Sequence, residues 1–126
     1  MFRLFLALSA LNGFLAVAFG AFGAHGLRSR LAGLADGPER LDWWRTAATY
    51  HLAHALALGL VAVLVGRSAG AALSVAGFAF LVGIALFSGS LYVMVLSGVR
   101  ALGAVTPVGG LAFLVGWAAL AWAALR

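Results

Sequence analysis

An all-α membrane protein, a bundle of four transmembrane helices with a short amphipathic interfacial helix between helices one and two, is the fold this sequence predicts. Three observations lead there. Hydrophobic residues make up 65% of the 126 and charged residues only 9%, with a mean hydropathy of +1.13, a balance foreign to soluble domains. The apolar residues come in runs long enough for spanning helices of about 20 residues. The charged residues collect where those runs end, so residues 1–126 make one membrane domain with no room for a soluble one.

The basic balance excludes less than it suggests. Eight arginines, no lysine and three acids (Asp36, Glu39, Asp42) give a net charge of +5 and a pI near 11.5. The arginines sit singly at helix ends, as interfacial anchors do, and form no basic face for nucleic acid. With no cysteine there is no disulfide, thiolate nucleophile or iron–sulfur centre.

Helix one is expected over about residues 4–24. The alternative, a signal peptide cut near Ala18 to Ala21, fits less well, because the run exceeds a usual signal core and carries Asn12 near its middle. Gly13, Gly20 and Gly23 would let a neighbouring helix come close. Leu27, Leu31 and Leu34 then recur at helical spacing with Arg28 and Arg30 between them, predicting an interfacial helix over about 27–35. Asp36 and Glu39 are spaced as a capping pair around Pro38, which starts helix two at about 38–66 and puts Trp43 and Trp44 at headgroup depth.

Arg67 to Gly70 reads as a tight connection. Helix three, about 71–97, is interrupted in its second half by Phe87-Ser88-Gly89-Ser90-Leu91-Tyr92, whose small and hydroxylic residues suit close packing or a cavity wall. Gly98 to Val105 turns the chain. Thr106 is placed as an N-cap and Pro107 as a first helical residue, so helix four runs over about 107–125 with Gly109, Gly110 and Gly116 for packing and Trp117, Trp122 and Arg126 in its second half.

Within helix two, Thr49-Tyr50-His51-Leu52-Ala53-His54 places two imidazoles and a phenol inside an apolar run. At about 100° per residue Tyr50, His54 and His51 lie within one sector, which predicts a single polar stripe. Four crossings bring the ends of helices one and three and the starts of helices two and four to one rim, side B. His25, Tyr50, His51, His54, Ser88, Ser90, Tyr92 and Thr106 all map there, and together they are the candidate polar pocket. Side B also holds Arg28, Arg30, Arg40, Arg45 and Arg100, against Arg3, Arg67 and Arg126 on side A, so the excess of arginine points side B to the cytoplasm.

The stretch Gly20-Ala21-Phe22-Gly23-Ala24-His25-Gly26 resembles the YgdD-like small membrane proteins, domain-of-unknown-function family 423. The likeness continues through Tyr50 and His54, Phe87 to Tyr92, and Thr106-Pro107-Val108-Gly109-Gly110 with Gly116-Trp117, covering nearly the whole chain. It implies a bacterial inner-membrane protein and brings no biochemical activity with it. It also implies that His25, Tyr50 and His54 are shared features, whereas His51 is often glutamine in relatives.

Several chemistries compete for the stripe. His25, His51 and His54 could supply three nitrogens to a metal, but no helix carries the carboxylate that usually completes such a site, and no cofactor is expected. The histidines and tyrosine beside the serines of helix three could instead receive a lipid headgroup or quinone. Nothing pairs a nucleophile with a base and an orienting acid, and no charge lies in mid-membrane to couple transport. The reading preferred from sequence is structural or accessory: His25, Tyr50 and His54 bond to one another, to Ser88 or Ser90, and to backbone carbonyls, fixing which helix faces meet. The partners expected are the lipid bilayer and a second copy of the chain.

Overall fold

The computed structural model describes residues 1–68 and 70–125. Four helices are long and apolar enough to cross a membrane. They are α1 (Phe2–Leu31), α2 (Gly37–Val65), α3 (Ala71–Ser97) and α4 (Thr106–Ala124), the last preceded by a 3₁₀ turn over Arg100–Ala104. The readings made above for Arg126, and for Ala69 within the connection after α2, lie outside the described residues.

The amphipathic segment expected over 27–35 is shorter than its leucine spacing suggested and does not stand apart. It is the last turn of α1, Arg28–Leu31, joined to the spanning part through a π-helical turn, Gly23–Leu27. Leu27 and Leu31 are buried with Leu41 and Trp44 of α2. Leu27 and Leu31 therefore pack inward, whereas Leu34, the third leucine of the expected face, stays exposed.

Asp36 occupies the position before α2, yet its carboxylate caps no backbone N–H. The oxygen Oδ2 accepts from Arg40 Nε at 2.9 Å instead. A charged hydrogen bond one turn along the same helix outcompetes the weaker cap. Trp44 also departs from expectation. Only 3% exposed, it donates Nε1–H to the Phe19 carbonyl at 2.7 Å and its ring fills the space a side chain at Gly23 would need. Trp43 alone of the pair stays partly exposed at the rim.

The interruption expected over Phe87–Tyr92 is displaced: the helix is unbroken, its π-helical turn lies at Ile84–Ser88 and shares only Phe87 and Ser88 with that stretch, and Gly89–Ser97 is regular α-helix. Gly98 closes α3 with φ of 75° and donates its N–H to the Met94 carbonyl at 2.9 Å, a left-handed conformation that glycine adopts without steric cost. Arg40 Nη1 reaches across to the Val95 carbonyl at 3.2 Å, so a guanidinium from α2 caps the negative end of α3. Pro107 falls in the first turn of α4 as the sequence indicated. Thr106 does not act as an N-cap; its hydroxyl turns to α3.

α1 packs along α2, α4 along α3, and the two hairpins meet mainly through α2 and α3. Two cores result. Toward side A, residues of all four helices, among them Phe5, Leu58, Val61, Phe80, Ile84 and Phe113, enclose a purely apolar centre. Toward side B, α1, α2 and α3 enclose Leu27, Trp44, Ala47, Leu91, Tyr92 and Val95.

Of the glycines singled out for packing, Gly23, Gly109 and Gly116 are needed. A Cβ at Gly109 would strike the backbone of Phe87, which marks the closest approach of α3 and α4. Gly20 faces open space, while Gly89 and Gly110 meet neighbours only at ordinary contact distance, so none of these three sets a helix spacing. Gly77, Gly83 and Gly116 do, since the rings of Phe5, Phe113 and Phe80 rest directly on them. Leu11, Phe14 and Val17 of α1 and Leu111 and Leu114 of α4 point outward, as lipid-facing residues should.

Candidate functional site

The stripe on α2 divides. His51 turns toward α1 and α3, and His54 toward α4, because the neighbours of α2 lie on either side of that sector and each imidazole follows the partner that can satisfy it.

His51, 3% exposed, has both ring nitrogens engaged. Its Nε2 lies 3.1 Å from Asn12 Oδ1 and its Nδ1 3.2 Å from the Tyr92 hydroxyl. The partners assign the tautomer. Asn12 Nδ2 donates to the Leu8 carbonyl at 2.8 Å, so Oδ1 must accept, Nε2 carries the proton, and Tyr92 O–H donates to Nδ1. Tyr92 is held edge-on or tilted by Phe19 and Trp44, with centroids at 4.8 and 4.6 Å. One directed chain of hydrogen bonds thus links α3, α2 and α1.

His54 is fixed as completely. Its Nδ1 lies 2.7 Å from the Tyr50 carbonyl and therefore donates. Its Nε2 accepts from Trp117 Nε1–H at 3.1 Å. The ring stacks on Phe113 with centroids at 3.5 Å and planes 10° apart. A neutral imidazole with its donor and acceptor both used has no lone pair left for a metal.

The hydroxyls form further ties. Ser88 donates to the Ala47 carbonyl at 2.8 Å, joining α3 to α2. Ser90 donates to Phe87 O at 3.0 Å, which leaves its oxygen to accept from Thr106, 2.7 Å away on α4. Ser9 of α1 donates to the Ala55 carbonyl of α2 at 2.8 Å.

The eight candidate residues consequently do not form one pocket. His51 and Tyr92 share a tie, Ser90 and Thr106 share another, and His54 and Ser88 each bind elsewhere. Tyr50 is 43% exposed and contributes its ring, tilted on Phe87 at 4.5 Å and stacked near His54 at 5.9 Å. His25 is exposed in the π-helical turn of α1, and its imidazole makes no hydrogen bond, ion pair or ring contact among the described residues. Those residues also contain no group of three potential ligands that could hold a metal, so His25, His51 and His54 are not a ligand set. The register of α1 against α2 separates them: Asn12 is the α1 residue beside His51, and His25 lies thirteen residues further along α1.

Three participants escaped the sequence reading: Asn12 as the partner of His51, Trp117 as the partner of His54, and Trp44 as a cross-helix donor. The available signal was their chemistry. An amide or an indole N–H in an apolar run needs an acceptor wherever the surroundings are dry.

A charged clasp closes the rim. Arg100 Nη2 lies 2.9 Å from Glu39 Oε2 and 3.5 Å from Asp36 Oδ2, with its guanidinium 5.1 Å from the Trp43 ring centroid. The hydrogen bond from Arg40, with Arg100 beside it, holds the Asp36 carboxyl below the ordinary aspartate range.

With this geometry in view, residues 19–110 match the family described as "Protein of unknown function (DUF423)". The chain belongs to the DUF423 family. It is similar to the UPF0382 membrane protein YwdK of Bacillus subtilis, 41% identical over 126 residues that cover 98% of each chain. It is likewise similar to the UPF0382 membrane protein SERP0230 of Staphylococcus epidermidis, 42% identical over 98% of this chain and 97% of the relative. A third relative, UPF0382 membrane protein SAB0533 of Staphylococcus aureus, is 40% identical over 79% of this chain and 77% of its own. No solved structure matches the chain. This DUF423 member is an integral membrane protein of bacterial type, with four apolar helices of spanning length.

Proposed function

We propose that this protein is a structural or accessory membrane component whose intramembrane polar residues hold helices together and carry no reaction. One observation supports this above the others: every buried side-chain nitrogen and oxygen among the described residues already has a hydrogen-bond partner within the bundle. Catalytic and ligand-binding sites ordinarily leave polar groups aimed at an empty space for the substrate to satisfy. Here the imidazoles, the Tyr92 phenol and the serine hydroxyls are spent on neighbouring helices. In a bilayer, where hydrocarbon offers helices no hydrophobic drive to associate, such bonds contribute roughly 0.6 to 1.7 kcal/mol each and select which faces meet.

The test is native mass spectrometry of gently extracted protein beside thermal unfolding in detergent, for the wild type and His54→Gln. The expected result is a lower unfolding temperature with the set of bound molecules unchanged. A stoichiometric quinone or metal present in the wild type and lost with His54 would overturn the reading.

A further inference from the structure

The side B rim is divided in charge. Beside α3 and α4, Arg40 and Arg100 are matched by Asp36 and Glu39. Along α1 and α2, Arg28, Arg30 and Arg45 face only Asp42, which pairs with Arg45 at 3.1 Å in an exposed bridge of the loosely held kind. Arg28 has no hydrogen bond, ion pair or ring contact among the described residues.

Two hollows meet at these arginines. The upper, about 320 Å³, lies against Pro38 and Leu41; the lower, about 250 Å³, runs down the crevice between α1 and α2 past Gly20 and Ala48. Arg28 and Arg45 are the residues common to both. The lower crevice is open because Gly20 lacks a side chain and nothing lies within 4 Å of where its Cβ would be. Thr49 adds a hydroxyl to the wall.

We propose that this groove binds an anionic phospholipid of the bilayer, its phosphodiester between Arg28 and Arg45 and one acyl chain along the crevice at Gly20. Two positive charges facing one hollow attract a phosphodiester, and basic clefts between transmembrane helices at the interface are where acidic headgroups settle. Asp42 brings one carboxylate to the groove against two arginines, whereas in the larger hollow at Trp43 and Arg100, about 480 Å³, two carboxylates, Glu39 and Asp36, face the single Arg100.

The experiment adds phosphatidylglycerol or phosphatidylcholine to the purified full chain and reads lipid adducts by native mass spectrometry. One phosphatidylglycerol should be retained in preference to phosphatidylcholine. The preference should fall roughly fivefold for each arginine removed in Arg28→Gln and Arg45→Gln. It should also fall in Gly20→Leu, whose side chain starts in the open space of the crevice. Arg67→Gln on side A and His54→Gln should leave it intact, which separates this site from the structural role of the imidazoles. The charge-preserving Arg28→Lys/Arg45→Lys protein should keep the preference and serves where the glutamine pair fails to fold. Equal retention of the two lipids, an equal loss in Arg67→Gln, no effect of Gly20→Leu, loss of preference in the lysine pair, or displacement by excess inorganic phosphate would each overturn the proposal.

Discussion

Toward side A the helices meet through rings seated on glycines, Phe5 on Gly77, Phe80 on Gly116 and Phe113 on Gly83; toward side B they meet through hydrogen bonds such as Trp44 to Phe19 and Ser88 to Ala47. Both devices answer the same difficulty. Lipid tails are as apolar as leucine, so burying a side chain between helices gains little by transfer alone. Side A relies on the density of contact that a ring in a glycine hollow achieves, and side B on polar groups that hydrocarbon cannot satisfy. His51 and His54 lie where the two regimes join, and each borrows from both: hydrogen bonds at its nitrogens and aromatic rings around it.

The sharpest way to break the contrast is on the apolar side. Phe80 is fully buried, with Gly116 beneath its ring and Trp117 at 5.2 Å. Phe80→Ala should cost about 3 kcal/mol through the void it leaves, read by equilibrium unfolding in mixed micelles. A loss below about 1 kcal/mol would mean that ring-on-glycine packing matters less than the hydrogen bonds above it.

Next in size is His51→Phe, which leaves both Asn12 Oδ1 and the Tyr92 hydroxyl without their partner. A loss of roughly 2 kcal/mol is expected by the same measurement. His51→Gln should recover at least half of it, since an amide can still donate to Asn12 and accept from Tyr92. Equal losses in the two variants would show that ring shape, and not hydrogen bonding, is what His51 supplies.

A smaller term sits at His54. A double-mutant cycle of His54→Phe and Trp117→Phe should yield a coupling of about 0.6 to 1.7 kcal/mol. Strict additivity would assign the contact to stacking on Phe113 alone.

The smallest effect is electrostatic. Because the Asp36 carboxyl is held below its ordinary range, its contribution is fully present above the unfolded value of about 3.9 and is lost as pH falls through the lower folded value. The unfolding temperature in detergent should therefore be level from neutral pH to about 5 and decline below about 4. Asp36→Asn should remove that part of the decline. An unchanged profile in the variant would rule out Asp36 as its source.

Four spanning segments were legible because apolar run length alone decides them, and the starting positions of α2 and α4 followed from Pro38 and Pro107. The site was legible only as a list. Tyr50, His51 and His54 share a sector of α2, but a helical wheel is silent about where α1, α3 and α4 stand around it, so the wheel joined residues that the bundle separates. His25 was grouped with them because α1 ends on the same rim, but the register of α1 against α2 puts Asn12, thirteen residues earlier, beside His51. The caps failed for two reasons: Asp36 had the right residue type and position but bonds Arg40 instead, whereas Thr106 is itself the first residue of α4 and its hydroxyl meets Ser90.

The widened turn at Ile84–Ser88 carries a lesson for anyone trimming or aligning this chain. Forced into ordinary α geometry with all its residues kept, this turn would swing everything downstream by about 100° around the axis. Ser90 would lose sight of Thr106, Tyr92 of His51, and Val95 of Arg40 in a single stroke. The wide turn absorbs one extra residue without disturbing the angular phase of half a helix, so an alignment gap placed within it leaves all three helix contacts in register.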